Sequence, residues 1–337
     1  MKKIFRLFIV TLITINSYSQ SSEKEFQKIK NEITKDFSTI KSDSFNELIP
    51  FEINSKWGYL NSKTKEIIIP PKYGKLNFFN PTMEGYYKGE SFTVRKNGVI
   101  NFEGDKPEKE SYIMEVDESE DTSNIKIISS SDGYKGFKID ENGNLLNYSD
   151  IYYNSEEHSW NIRPFQFKGK YFAIVKNKNG KYGVIDKSGK TLKGFNFKYK
   201  EISLNKFAKD KEKLWFFVQE NNDMWSLKSN KNKTKFKNKL MANPITSSHL
   251  FGFSSIENKD KQGIFDCYNL KWKIKPQKEK IGGLYYSSDT KLDKNNPLDR
   301  KKAKIYYSFS YKDGFEEYSY TTYFINLKKE KFKPKVK

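Results

Sequence analysis

Thiol and imidazole groups are nearly absent from this chain of 337 residues, which has one cysteine, Cys267, and two histidines, His158 and His249. A lone cysteine closes no intrachain disulfide, and these three side chains fall short of the ligand set of a structural zinc site. The composition therefore implies no disulfide framework, no metal site and no cofactor. Arginine is scarce as well, found only at Arg6, Arg95, Arg163 and Arg300, so the net charge of +20 rests on lysine. Base reading leans on bidentate guanidinium contacts, and their scarcity argues against specific nucleic-acid binding. Lys or Asn breaks the apolar runs well short of the ~20 residues a membrane span needs. Phosphate-cradling glycine loops and Gly-x-Ser-x-Gly elbows are missing too, so no catalytic residues are expected.

What is present begins with a basic start (Lys2, Lys3, Arg6), an apolar stretch from Leu7 to Ile15, and small residues at Ser17 and Ser19. This pattern predicts a signal peptide over residues 1–19, cut before Gln20, and hence a basic protein exported to the periplasm, cell surface or medium. No cysteine near the cut offers a lipid anchor. The next segment, 20–50, reads as a helix and linker. Phe26, Ile29, Ile33, Phe37 and Ile40 fall on one face of a helix over 22–40, and Ser22 with Glu25 has the spacing of a capping box. The opposite face mixes acidic residues with Lys, so the spacing predicts packing on the chain's own β-domain in preference to a membrane surface.

From residue 51 short runs of Ile, Val, Phe and Tyr alternate with Gly, Asn, Asp and Ser clusters, the pattern of many strands joined by tight turns. A phrase recurs. Lys56-Trp57-Gly58-Tyr59-Leu60-Asn61 is followed by a turn and Lys65 to Tyr73, and Lys181-Tyr182-Gly183-Val184-Ile185-Asp186 by Lys187 to Leu192. Lys261-Gln262-Gly263-Ile264-Phe265-Asp266 is a third copy, with weaker ones around Gly98, Gly136 and Ser226 and an eroded one at Tyr323 to Asn326. A spacing near 40 residues is that of a repeat architecture. In each copy Gly permits a close backbone approach, and Asn or Asp opens a turn by bonding its own backbone.

These phrases resemble the WG repeat, also written KWG, which is abundant in exported proteins of the Bacteroidetes. The resemblance covers residues 51–285 and implies a β-rich repeat domain with no shared catalytic residues. Residues 286–337 read as further strands and a Lys-rich tail. The expected fold is an all-β repeat protein with a short N-terminal α-helix, its hairpins forming a propeller-like ring or a β-solenoid; the period favours the ring.

Several clusters have the residue types of a site. Asp140-Glu141-Asn142-Gly143-Asn144 has alternating oxygen ligands but lacks the bidentate Glu of a calcium loop, and Asp186 to Lys190 occupies the same repeat position with Lys, so both read as turns. Glu156-Glu157-His158 reads as an exposed loop, His249 stands apart from any nucleophile elbow, and the acidic run Glu115 to Asp121 reads as solvated. The lysines at Lys231, Lys233, Lys235, Lys237 and Lys239 alternate, as do Lys331, Lys333, Lys335 and Lys337. On a strand such a row shares one face, suited to phosphate, acidic polysaccharide or an anionic surface, or to guarding a sheet edge. The sequence thus points to a non-catalytic binding or scaffolding protein of the cell envelope, its partner a protein or an anionic polysaccharide. The alternatives are an envelope hydrolase of glycans or peptides with carboxylates in the ring mouth, and an anion-binding module built on the Lys row.

Overall fold

A computed structural model describes residues 23–103, 124–127, 162–220, 223–245, 249–258, 261–278, 280–312 and 320–334. The expected signal peptide, the copy around Gly136, the Asp140 turn, the Glu156 to His158 loop, the acidic run, Ser22, Lys335 and Lys337 lie outside the described residues. Antiparallel strands dominate what is described, with one α-helix and no closed barrel. The chain divides into two compact units. One holds the described residues up to 103, 285–292 and those from 301 onward; the other holds 124–284 and 293–300.

The first unit starts with helix α1 (23–38). Ile29, Ile33 and Phe37 on its apolar face are buried, and Ile40 just beyond its end joins them. They pack with Tyr59, Tyr73, Phe92 and Phe102, the Phe37 ring lying 5.5 to 6.3 Å from three of these. The helix therefore packs on its own β-sheets, as its mixed polar face predicts, and each of these buried side chains contributes about 1.5–3 kcal/mol of transfer energy. Strands β1 (Leu48–Ile53), β2 (Lys56–Asn61) and β3 (Ile67–Tyr73) follow, then a four-stranded sheet of β4 (Lys75–Leu76), β5 (Thr82–Tyr87), β6 (Glu90–Arg95) and β7 (Ile100–Phe102).

The second unit contains three four-stranded meanders. They are β8 (Ile125–Ile127), β9 (Ile162–Phe167), β10 (Lys170–Lys176) and β11 (Tyr182–Asp186); β12 (Glu201–Leu204), β13 (Trp215–Gln219), β14 (Trp225–Ser229) and β15 (Thr234–Leu240); and β16 (His249–Leu250), β17 (Phe253–Asn258), β18 (Lys261–Asp266) and β19 (Lys271–Gln277). The run Trp215-Phe216-Phe217-Val218 shows why no polar alternation marks β13. Successive side chains point to opposite faces. Phe216 and Val218 pack with Phe165 and Val184 of the preceding sheet, while Trp215 and Phe217 pack with Ile256 and Phe265 of the following one.

The chain then returns to the first unit with β20 (Leu284–Ser287), β21 (Lys304–Lys312), β22 (Tyr320–Asn326) and β23 (Lys331–Phe332). Here β22 pairs with β1 at Thr322 and Glu52, making one seven-stranded sheet with β1, β2 and β3.

The recurring phrase has a common geometry. Gly58, Gly183, Ser226 and Gly263 each face a buried apolar residue of the preceding strand: Phe51, Val175, Val218 and Ile256. On the other side, the β2–β3, β14–β15 and β18–β19 ladders slip register at the same place in the phrase. A Cβ on Gly263 would stand 2.8 Å from the Ile274 carbonyl oxygen, which is the close approach the glycine permits. The copy around Gly98 is corrected. Gly98 lies in the β6–β7 turn at φ +80°, with open space where a Cβ would sit. The residue at the phrase position in that sheet is Phe92, and the small residue is its β5 partner Gly85, so the small and large members have exchanged strands. The expected turn bonds are present: Asn61 Oδ1 accepts from the N–H groups of Lys63 and Thr64, Asp186 Oδ1 from Ser188 and Lys190, and Asn326 Oδ1 from Lys328 and Glu330.

Candidate functional site

The lysines at 231, 233, 235, 237 and 239 are all exposed and belong to the second unit. They do not form one strand face. Lys231 and Lys233 sit in the β14–β15 turn, where Ser229 Oγ accepts from the Lys233 N–H and Asn232 adopts φ +61°. Asn232 tolerates this left-handed backbone, so the chain reverses there and β15 begins only at Thr234. Lys237 and Lys239 lie in the bulge between Phe236, paired with Leu227, and Leu240, paired with Trp225. Among the described residues only β14 flanks β15, so the row occupies a sheet edge, where lysine also hinders pairing with other sheets. Of the second row, Lys331 and Lys333 are exposed on either side of buried Phe332, and Lys333 lies 4.2 Å from the Tyr323 ring centroid.

Beside the turn of the first row is a groove of about 530 Å³ that sequence reading did not find. Lys209, Asp210 and Lys213 reach it from the segment between β12 and β13, Lys233 and Lys235 from the β14–β15 hairpin, and Tyr268, Asn269 and Leu270 from the turn after β18. Trp215, at the start of β13, also lines it. Burial opposes ionisation of Asp210, yet the Lys213 ammonium at 3.0 Å and the Glu212 N–H at 3.1 Å hold its carboxyl below the usual range. Asp210 is thus committed to Lys213. Among the described residues no carboxylate pairs with Lys209, Lys233 or Lys235. The groove gathers loops far apart in sequence, so no local pattern announces it.

His249 Nε2 lies 3.0 Å from Asn295 Oδ1, with the imidazole 4.9 Å from the Phe207 ring. Cys267 is fully buried, and burial, reinforced by the neighbouring Asp266 charge, pushes its thiol up. A thiol held in that state is a packing group, not a nucleophile.

Arg300 was also missed as a key residue. Its Nη1 donates to both oxygens of buried Asp266 at 3.0 and 3.1 Å, its Nη2 to the Phe251 carbonyl at 2.7 Å and its Nε to the Pro297 carbonyl at 2.9 Å. The guanidinium also lies over the Phe253 and Tyr268 rings. With its donors so engaged it fixes the Phe251 and Pro297 loops. Among the described residues no group of three or more His, Cys, Asp or Glu side chains could hold a metal ion, and no helix is long and apolar enough to cross a membrane.

No family model matches the sequence, and no curated protein matches it. Two solved structures align over most of the chain. One is a crystal structure of the eukaryotic initiation factor, at 9% identity and TM-score 0.26, covering 85% of this chain and 83% of that one. The other is dihydro-heme d1 dehydrogenase NirN in complex with DHE, at 10% identity and TM-score 0.24, covering 87% of this chain and 64% of that one. At these TM-scores the likeness carries no argument about fold or function.

Proposed function

We propose that the chain is an exported, non-catalytic binding or scaffolding protein of the cell envelope, built as a propeller-like ring of WG-type hairpins. The observation that carries this reading is the repetition of one hairpin, with a small residue facing a buried apolar partner at Gly58, Gly183, Ser226 and Gly263 and a register slip beside three of them, Gly58, Ser226 and Gly263. A ring must join its first and last segments, and the pairing of β1 with β22 supplies such a joint. A solenoid would leave its terminal strands apart. The export half rests on the basic start, apolar stretch and small residues of positions 1–19.

Affinity capture from envelope fractions tests the reading, with the mature chain expected to retain a protein or an anionic polysaccharide. Failure to capture either, together with turnover of an envelope glycan or peptide, would overturn it. N-terminal sequencing of the exported protein is expected to begin at Gln20.

A second reading, an anion-binding module, is favoured by one observation: all five lysines from 231 to 239 are exposed around one hairpin. The following inference takes that reading to a defined groove.

A further inference from the structure

We infer that the groove between the β12–β13 segment and the β14–β15 hairpin is a site for a short anionic saccharide carrying sulfate, phosphate or carboxylate groups. The inference rests on the reading of this protein as a binding module.

Four lysines, Lys209, Lys213, Lys233 and Lys235, line the groove against a single acidic residue, Asp210. Lys213 satisfies that carboxylate, so the other three lysines, from two separate chain segments, line the groove without an ion-pair partner among the described residues. Such convergence is unfavourable by itself and is relieved by an anionic ligand. A volume of about 530 Å³ falls within the size range of small-ligand sites, roughly 300–1,000 Å³.

A second observation is independent of charge. Trp215 is 4% exposed, and its buried indole N–H has no acceptor among the described residues. Buried donors are nearly always paired, and indole nitrogen can only donate. Its missing partner must be an acceptor, and the residue that carries this donor also lines the groove.

The aromatic arrangement separates a saccharide from single-stranded nucleic acid. Base binding uses open aromatic platforms. The Trp215 ring is buried in the core with Phe217 and Trp225, and one face of the half-buried Tyr268 ring is taken by the Arg300 guanidinium at 4.7 Å, so the groove has no open pair of aromatic platforms for successive bases. Lysine supplies point charges that suit oxyanions without fixing a base edge.

The test uses the full mature chain, titrated calorimetrically with a sulfated tetrasaccharide and with its unsulfated counterpart at rising NaCl. The sulfated form is expected to bind, the neutral form at least tenfold more weakly, and salt to weaken the difference. The charge-matched pairs Lys209→Gln/Lys235→Gln and Lys237→Gln/Lys239→Gln separate the groove from the exposed row. The groove pair is expected to lose at least tenfold in affinity and the row pair less than twofold. Trp215→Phe removes the N–H and keeps a ring, so it is expected to weaken binding severalfold without lowering the melting temperature. Equal losses in the two lysine pairs, an unaffected groove pair, or tighter binding of a thymidine hexanucleotide than of the tetrasaccharide would each overturn the assignment. Envelope-protein capture that persists without saccharide binding would overturn the groove alone. New reducing ends released from the tetrasaccharide would overturn the non-catalytic reading and support the groove.

Discussion

At Gly58 a Cβ would stand 2.4 Å from the Ile69 carbonyl oxygen and 2.9 Å from backbone atoms of Pro70 and Pro71. These are backbone atoms of the partner strand, which cannot swing aside as a side-chain tip can. Gly58→Ala is therefore expected to destabilise the protein by about 1–3 kcal/mol. Gly98→Ala meets open space and suffers only the backbone strain of φ +80°, about 1 kcal/mol. Urea midpoints of the two variants check the order, and a Gly98→Ala loss larger than that of Gly58→Ala would contradict the account of the bulged hairpin. Arg300 poses the opposite problem, a side chain whose removal leaves a charge behind. Arg300→Ala strands the Asp266 carboxylate, 3% exposed, with only its Tyr268 and Asn269 donors. The expected cost is about 3–5 kcal/mol, part of which an added Asp266→Asn change should restore. Thermal melts of the single and double variants measure both.

Helix α1 is fastened to its sheets by apolar packing on one side and by charged hydrogen bonds along its flank. The Lys88 ammonium at 2.9 Å and the Tyr87 hydroxyl at 2.8 Å hold the Glu32 carboxyl below its ordinary range. Lys96 does the same for Asp289, and at Glu47 the Ser62 hydroxyl and Lys304 overcome the opposing effect of burial. A carboxyl depressed in the folded state binds its proton more weakly there than in the unfolded chain. Its stabilisation is complete above the unfolded value, near pH 4, and disappears as pH falls through the folded value. Urea midpoints are thus expected to drop between pH 5 and pH 3, and the combined Glu32→Gln, Glu47→Gln and Asp289→Asn variant should show a shallower fall. A slope unchanged by these substitutions would remove the carboxylates from the explanation. The helix was legible because its period lies within one element, from Phe26 to Phe37, and so were the Asn61 and Asp186 turns, whose bonds span a few residues. The strand assignment around Gly98 was not: a turn glycine and a bulge glycine both precede Val-Ile or a similar pair, and only the pairing of Gly85 with Phe92 tells them apart. The groove was illegible for a related reason, since Lys209 and Lys233 meet through the fold, and the alternation of the Lys row gave no hint that a turn and a bulge divide it.

On the scale of the whole molecule, the seven-stranded sheet couples segments at opposite ends of the described chain. β1 and β22 meet at Glu52 and Thr322, whose hydroxyl donates to Glu52 Oε2 at 2.6 Å. Around this joint Phe324 packs near Trp57, Phe78 and Tyr285, with ring centroids 6.4, 4.8 and 5.1 Å away. A single aromatic thus binds β22 to β2, to the segment after β4 and to β20. Phe324→Ala leaves a cavity among rings that belong to distant stretches of sequence, and a loss of about 3–5 kcal/mol is expected. If the joint acts as one cooperative element, amide exchange should accelerate together in Tyr320–Asn326 and in Leu48–Ile53, because opening one strand uncovers the other. Hydrogen-exchange mass spectrometry of the variant resolves the two peptides. Accelerated exchange confined to 320–334, with β1 and β2 still protected, would mean that the C-terminal strands are an appendage to the sheet, and the ring proposed for this protein would lose its joint.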